Sequence, residues 1–275
     1  MVLSGVFIFP HGSLILDPTK KGVDESAKKL NDKMIEIARK IKKSSPDLCI
    51  LITPHGISLS HDYGLYVNET AQGTAEWEGD YSEYRAQISL NIEKTNKLFQ
   101  KLQEKKIPVN TFTAFTHSVN ATLRWGEVVP LFFLQEISMQ YIIFSLPTRR
   151  YSQINDMISE LLQIGDSLRD FAQNSTENVI IIISADLAHT HDQNGPYGFS
   201  EKAEEFDQII ENWVQQGGQE DLLLVHASSI LDQALVCGFA GFVIVQGILK
   251  RTQLRSHFYI RAHPTYYGMM IASFT

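Results

Sequence analysis

The chain has 275 residues, 44% of them hydrophobic, and a formal net charge of −7. That balance excludes a general nucleic-acid backbone partner, which needs a basic surface, and no run reaches the ~18 apolar residues of a membrane span. The length suits one large core or two small ones, and with no linker, repeat or composition break the expectation is one domain over 1–275.

The opening "MVLSGVFIFPHGS" has no basic residue ahead of its apolar run and turns at once through Pro-His-Gly, so it reads as a first strand and not a signal peptide. "VFIFPHG" (6–12) and "LCILITPHG" (48–56) predict buried strands on either side of an amphipathic helix over 24–44. Further helical patterns cover 84–105, 152–173 and 200–216, and "QYIIFSL" (140–146) and "NVIIIISADLAH" (178–189) predict two more buried strands. The apolar stretch 230–249 reads as one buried helix, followed by the terminal strands "SHFYIRAH" and "YYGMMIASF". The alternation predicts an α/β fold of three α/β/α layers, with a mostly parallel central sheet covered by helices on both faces. Cys49 and Cys237 each lie in an apolar stretch and are expected as buried free thiols in a reducing, cytoplasmic setting.

Open α/β sheets bind ligands beyond the carboxyl ends of their strands. Three predicted strands carry a histidine there: His11, His55 and His189. His11 and His55 both sit in Pro-His-Gly, where proline stiffens the approach and glycine leaves room beside the imidazole. Two neutral imidazoles on rigid strand ends make part of a site for a borderline divalent metal, and a carboxylate would complete the facial arrangement that holds non-haem Fe(II).

These features resemble the class III extradiol ring-cleavage dioxygenases, the LigB-type fold, with the Memo proteins as distant relatives. The resemblance covers nearly the whole chain and rests on "PHGSLILDP" (10–18), "ITPHG" (52–56), "VVPLFFL" (128–134), "SADLAHTHDQNGPYGFSEKAEEFD" (184–207) and "CGFAGFVIVQGIL". It implies Fe(II) held by two histidines, matched by His11 and His55, and a glutamate. It also implies a small aromatic diol or aminophenol cleaved with O₂, and a histidine acid/base matched by His189. Trp125, His117, His191 and Tyr197 are expected to line the substrate pocket.

The chain departs from that pattern where the glutamate belongs: residues 233–243 hold no acidic residue, and Val236 and Ala240 occupy the expected positions. Asp232 is the nearest replacement ligand, with Glu127 as another acidic candidate. Arg124-Trp125 stands where Asp-His often precedes "VPL", and His117 lies upstream as a substitute. Without the glutamate, Fe(II), zinc or another divalent metal, or no metal at all, remain open. So do an extradiol-type dioxygenase, a non-catalytic binding or regulatory protein, the inactive partner subunit of a heteromeric dioxygenase, and a metal-assisted hydrolase, and assembly as a homo- or hetero-oligomer is open for each.

Overall fold

A computed structural model describes residues 3–20 and 23–275. Met1, Val2, Lys21 and Gly22 lie outside the described residues, and with them the first two positions of the N-terminal reading. The first apolar run forms β1 (Leu3–Phe9). The helix α1 (Glu25–Ser44) starts where the Asp24 side chain accepts the Ser26 amide, and it buries Leu30, Met34, Ile37 and Ile41 at helical spacing. After the fully buried β2 (Leu48–Thr53) come β3 (Tyr63–Tyr66), β4 (Thr70–Thr74) and β5 (Arg85–Ser89). They lead to α2 (Ile92–Glu104), β6 (Val109–Phe112), β7 (Ala121–Leu123) and α3 (Trp125–Phe132). The next unit is β8 (Gln140–Ser145), the short α4 (Arg150–Gln153) and α5 (Ile158–Gln173). The chain ends with β9 (Val179–Ser184), α6 (Lys202–Gln215), α7 (Leu231–Ala234), α8 (Phe239–Leu249), β10 (Ser256–Ala262) and β11 (Met269–Phe274).

Eight strands form one sheet in the order β10-β11-β1-β9-β2-β8-β3-β6. The centre is parallel, since β1 pairs β9, β9 pairs β2 and β2 pairs β8 in the same direction. The flanks make the sheet mixed: β3 runs antiparallel to β8, and β11 antiparallel to both β1 and β10. The central strands are apolar at nearly every position because both faces are covered. Val6 and Ile8, like Ile50 and Ile52, face the core beneath α2, α5, α6 and α8. Phe7 and Phe9, like Cys49 and Leu51, face the core beneath α1 and α3. This gives the expected three layers.

Three elements differ from the sequence reading, and the first is 152–173, which is not one helix: a turn at 154–157 separates α4 from α5. The stretch from 84 begins as a strand, because Ala86 and Ile88 are buried while Arg85, Gln87 and Ser89 are exposed, a period of two. It pairs with β4 in a second sheet, β5-β4-β7, and the helix starts only after Asn91, whose side chain accepts the Lys94 amide. The stretch 230–249 is also not one helix. Leu235 adopts a left-handed conformation (φ 51°), which ends α7 and turns the chain before α8 begins.

The helix α8 is seated by glycines. A Cβ on Gly165 of α5 would lie 2.1 Å from the Ile244 carbonyl oxygen, and one on Gly247 would lie 2.2 Å from that of Leu162. The two helices therefore pack backbone to backbone, and this contact sets where the start of α8 meets the sheet. We expect Gly165→Ala to lower stability by about 1–3 kcal/mol through overpacking, read as a reduced urea midpoint with an unchanged m-value. An unaltered midpoint would show that the helices can separate without penalty.

Candidate functional site

The four parallel central strands end on one edge of the sheet, and each is followed within a few residues by a chemically functional side chain. Register places Phe9 of β1 beside Ser184 of β9 and Thr53 of β2 beside Ser145 of β8. Beyond those ends lie His11, His55, Arg150 and, with Asp186, His189.

His11 is buried, and its contacts settle its tautomer. The Ser184 hydroxyl donates to the Gly126 carbonyl, so it accepts from His11 Nδ1–H at 2.9 Å. The lone pair of Nε2 is left facing Cys237 Sγ at 3.4 Å and Asp186 Oδ2 at 3.3 Å. Burial, reinforced by the neighbouring His55, His189 and Arg150, holds the His11 imidazolium well below its ordinary pKa. Burial likewise pushes the Asp186 carboxyl up to about 7, against the pull of the His11 and Gly12 amides. Both groups are therefore neutral for most of the range below neutrality, and their 3.3 Å approach is not an ion pair there.

His55 stands edge-on to His11, with ring centroids 4.8 Å apart at 89°. Its other side stacks on Trp125, 5.1 Å away. Burial brings its pKa down to about 3, so it too is neutral at physiological pH. Cys237 completes the group: one donor atom from each of His11, His55 and Cys237 lies within 4.8 Å of the others. The thiol is buried and its pKa is raised by burial, so a bound cation would have to displace its proton. Cys237 reaches this place because Gly238 follows it. A Cβ on Gly238 would sit 2.5 Å from the Asp186 carbonyl oxygen and 2.8 Å from Ala185 Cβ, so only glycine lets the start of α8 approach the β9 turn this closely.

His189 stands beside this group. Its backbone N–H donates to the Ala234 carbonyl, while its ring Nε2 is buried with no hydrogen-bond partner among the described residues. Burial lowers its pKa to about 4, with a smaller contribution from His191. The ring lies against Tyr197 and Tyr267. Two adjoining cavities of about 310 Å³ each meet at His55, His189 and Tyr197. One extends past Arg150 and Tyr151, the other past His11, Trp125 and Tyr267. Three neutral nitrogen bases, one thiol and an aromatic wall make a pocket able to hold a cation next to a small planar molecule.

The remaining expected residues divide between this pocket and other places. Trp125 and Tyr197 line it. Asp232 lines the first cavity but is exposed and lies outside the donor group, where Cys237 stands instead. Glu127 is buried with both oxygens engaged, one by the Tyr66 hydroxyl at 2.8 Å and the other by the Arg124 amide at 2.7 Å. His117 is held by the Val67 carbonyl, away from both cavities. His191 is turned from the pocket as well: its Nε2 meets the buried Asp207 at 2.9 Å and its ring stacks on His263 at 4.5 Å. Asp207 also accepts the Ala188 amide, so this pair braces the loop that carries His189.

The sequence reading had placed Cys237 only as a buried thiol. Its signal was its position at the head of the stretch in which the acidic ligand was sought, next to Val236.

The sequence matches, over residues 5–272, the family described as the catalytic LigB subunit of aromatic ring-opening dioxygenase. The chain belongs to the LigB family. A curated relative, Protein CA_C1420 of Clostridium acetobutylicum, is 25% identical over 258 residues, covering 91% of this chain. This chain spans about half of that relative (53%). The fold is similar to the crystal structure of the uncharacterized protein JW3007 from Escherichia coli K12, with TM-score 0.60 and 12% identity over 98% of this chain and 99% of that one. As a LigB-family member the protein is dioxygenase-like or related to such enzymes, with a group of side chains able to bind a metal. Among the described residues no helix is long and apolar enough to cross a membrane.

Glu127 yields a pH test of the wall behind His55. Burial raises its pKa from 4.5 to about 7, against the hydrogen bonds from Arg124 and Tyr66. A raised folded-state pKa means that its contribution is fully present below the unfolded value and is lost as pH rises through the folded one. We expect the stability of the parent protein relative to Glu127→Gln to fall between about pH 4.5 and pH 7 by on the order of 3 kcal/mol. Parallel pH profiles of the two unfolding midpoints would contradict this.

Proposed function

We propose that the protein is a single-metal enzyme of the dioxygenase type acting on a small aromatic molecule. His11, His55 and Cys237 are its metal ligands and His189 its acid/base. The observation that carries the reading is the buried convergence of two neutral imidazoles and a thiol, donor atoms within 4.8 Å, at the junction of two cavities. The residues fit a metal. His11 Nδ1 is fixed by Ser184 so that Nε2 is free to ligate, and both imidazoles are uncharged. When bound, a redox-active ion would supply a chelation point for adjacent aromatic hydroxyls and a route for electrons to O₂.

The chain's own residues supply the rest. His189 Nε2, buried and without a partner, accepts a proton from a hydroxyl held in the pocket and can return it. A lowered pKa keeps it ready to accept at neutral pH. Trp125 and Tyr197 wall the space for a planar ring.

Cys237 in place of a carboxylate favours a softer ion than Fe(II), such as Cu(I) or Zn(II), because thiolate binds these more strongly than a carboxylate does. That substitution also favours a second reading, a metal-binding or regulatory protein that keeps the fold without ring cleavage.

Titration with Fe(II), Cu(I) and Zn(II), followed by O₂ uptake with a panel of catechols and aminophenols, separates the two. We expect Cys237→Ala to weaken metal binding roughly 10–100-fold or more and His11→Ala to abolish it. We expect His189→Ala to retain the metal while losing O₂ uptake. Metal bound by the intact protein with no O₂ uptake on any substrate would support the non-catalytic reading, and absence of metal binding would sink both.

A further inference from the structure

His191, turned away from the pocket, enters a second group of donor side chains. One donor atom from each of His191, Glu204 and His263 lies within 4.8 Å of the others, and Glu204 and His263 are exposed. Glu204, Asp207 and Glu211 recur at helical spacing on the face of α6 that packs on β10. There they share Arg261 of β10. Its Nη1 and Nη2 donate to the two oxygens of Glu204, its Nε donates to Glu211 at 2.8 Å, and Asp207 lies 4.0 Å from Nη1. One guanidinium thus serves three carboxylates, and the two imidazoles stand beside the negative charge left over.

The His191 ring is prepared as a ligand. Its side chain is only 5% exposed, and its Nε2 meets Asp207 Oδ2 at 2.9 Å. Asp207 already accepts the Ala188 amide through Oδ1 and lies near Arg261, so it acts as an acceptor and His191 donates from Nε2. That assignment leaves a lone pair on Nδ1, which makes no hydrogen bond among the described residues. An imidazole whose second nitrogen donates to a carboxylate is the arrangement that orients a metal-binding histidine and raises its basicity. The His263 ring lies parallel to it, 4.5 Å away at 2°, and as an exposed side chain it is free to turn. Glu204 keeps an unused lone pair on each oxygen. Tetrahedral ligand atoms about 2.1 Å from an ion are about 3.4 Å apart, so a rotation of the His263 ring closes the group.

We propose that His191, His263 and Glu204 form a second, outer site for a borderline divalent cation such as Zn(II), which clips together two loops of the pocket wall. Two imidazoles and a carboxylate, with no thiol, suit Zn(II) rather than Cu(I). The loop after β9 carries His189 and His191, and the loop between β10 and β11 carries His263, Tyr266 and Tyr267. A backbone seam already joins them: Leu187 N–H donates to Gly268, Gly268 N–H to Ala188, and His191 N–H to Tyr266. The His189 ring lies against Tyr266 and Tyr267 across that seam. An ion held from both loops adds a side-chain tie and fixes His189 relative to its aromatic wall. The outer site does not depend on the inner group of His11, His55 and Cys237 being filled.

The test is zinc titration of the whole protein against a chromophoric chelator. It compares the parent with His11→Ala, which breaks the inner group, and with His263→Ala, at an exposed position that lines neither cavity. We expect one equivalent with a Kd of about 1 µM or tighter that survives His11→Ala. In His263→Ala it should weaken by at least the roughly 10–100-fold that loss of an orienting partner costs. If His11→Ala fails to fold, the difference between the parent and His263→Ala still carries the result. Identical zinc binding in those two proteins overturns the proposal, as does an absence of zinc binding by the parent at micromolar concentrations. An equivalent lost in His11→Ala but kept in His263→Ala belongs to the inner group and equally overturns the outer site. Hydrogen exchange tests the clip: zinc should slow the Leu187, His191 and Gly268 amides roughly tenfold or more in the parent and not in His263→Ala. Zinc bound at this group with unchanged exchange overturns the clip.

Discussion

The buried ring of His11 joins three segments that are far apart in the chain. Its Nδ1 binds Ser184 at the end of β9, its backbone N–H binds Asp186 just beyond, and its Nε2 faces Cys237 ahead of α8. Because the Ser184 hydroxyl donates to the Gly126 carbonyl, the same contact also reaches the start of α3. A single imidazole with a settled tautomer thus positions both the thiol and the turn that leads to His189. The rest of the site is arranged around it.

Such a site tolerates no charge of its own. Burial drives the imidazoles to their neutral forms and the Asp186 carboxyl towards its protonated form. The centre is therefore a set of lone pairs in a low-dielectric cleft, which is what a cation requires.

The parallel centre of the sheet explains why these groups meet. Four neighbouring strands in one direction bring four carboxyl ends to one edge, and the chain places His11, His55, Arg150 and His189 beyond them. The antiparallel flanks, β3 against β8 and β11 against β1, widen the sheet without contributing such an end. The second small sheet, in turn, shares with α3 the core on one face.

Much of this was legible in the sequence. Unbroken apolar runs between amphipathic stretches announce strands buried on both faces, and turn residues mark their ends, so His11, His55 and His189 could be found without coordinates. Strand direction could not, because a strand buried on both faces has the same apolar pattern whichever way it runs. The exposed–buried alternation of 85–89 was masked by the helix that follows it. His191 and His117 were drawn to the pocket by proximity in sequence, whereas Asp207 and the Val67 carbonyl, both remote in the chain, hold them elsewhere. Cys237 lies 226 residues from its partner His11. Its arrival depends on the left-handed turn at Leu235 and on the clearance at Gly238. Local pattern by itself determined which segments are buried and where strands end, because burial acts on each segment separately. Only the tertiary structure decided which side chain completes the donor group, because that follows from how distant backbones pack.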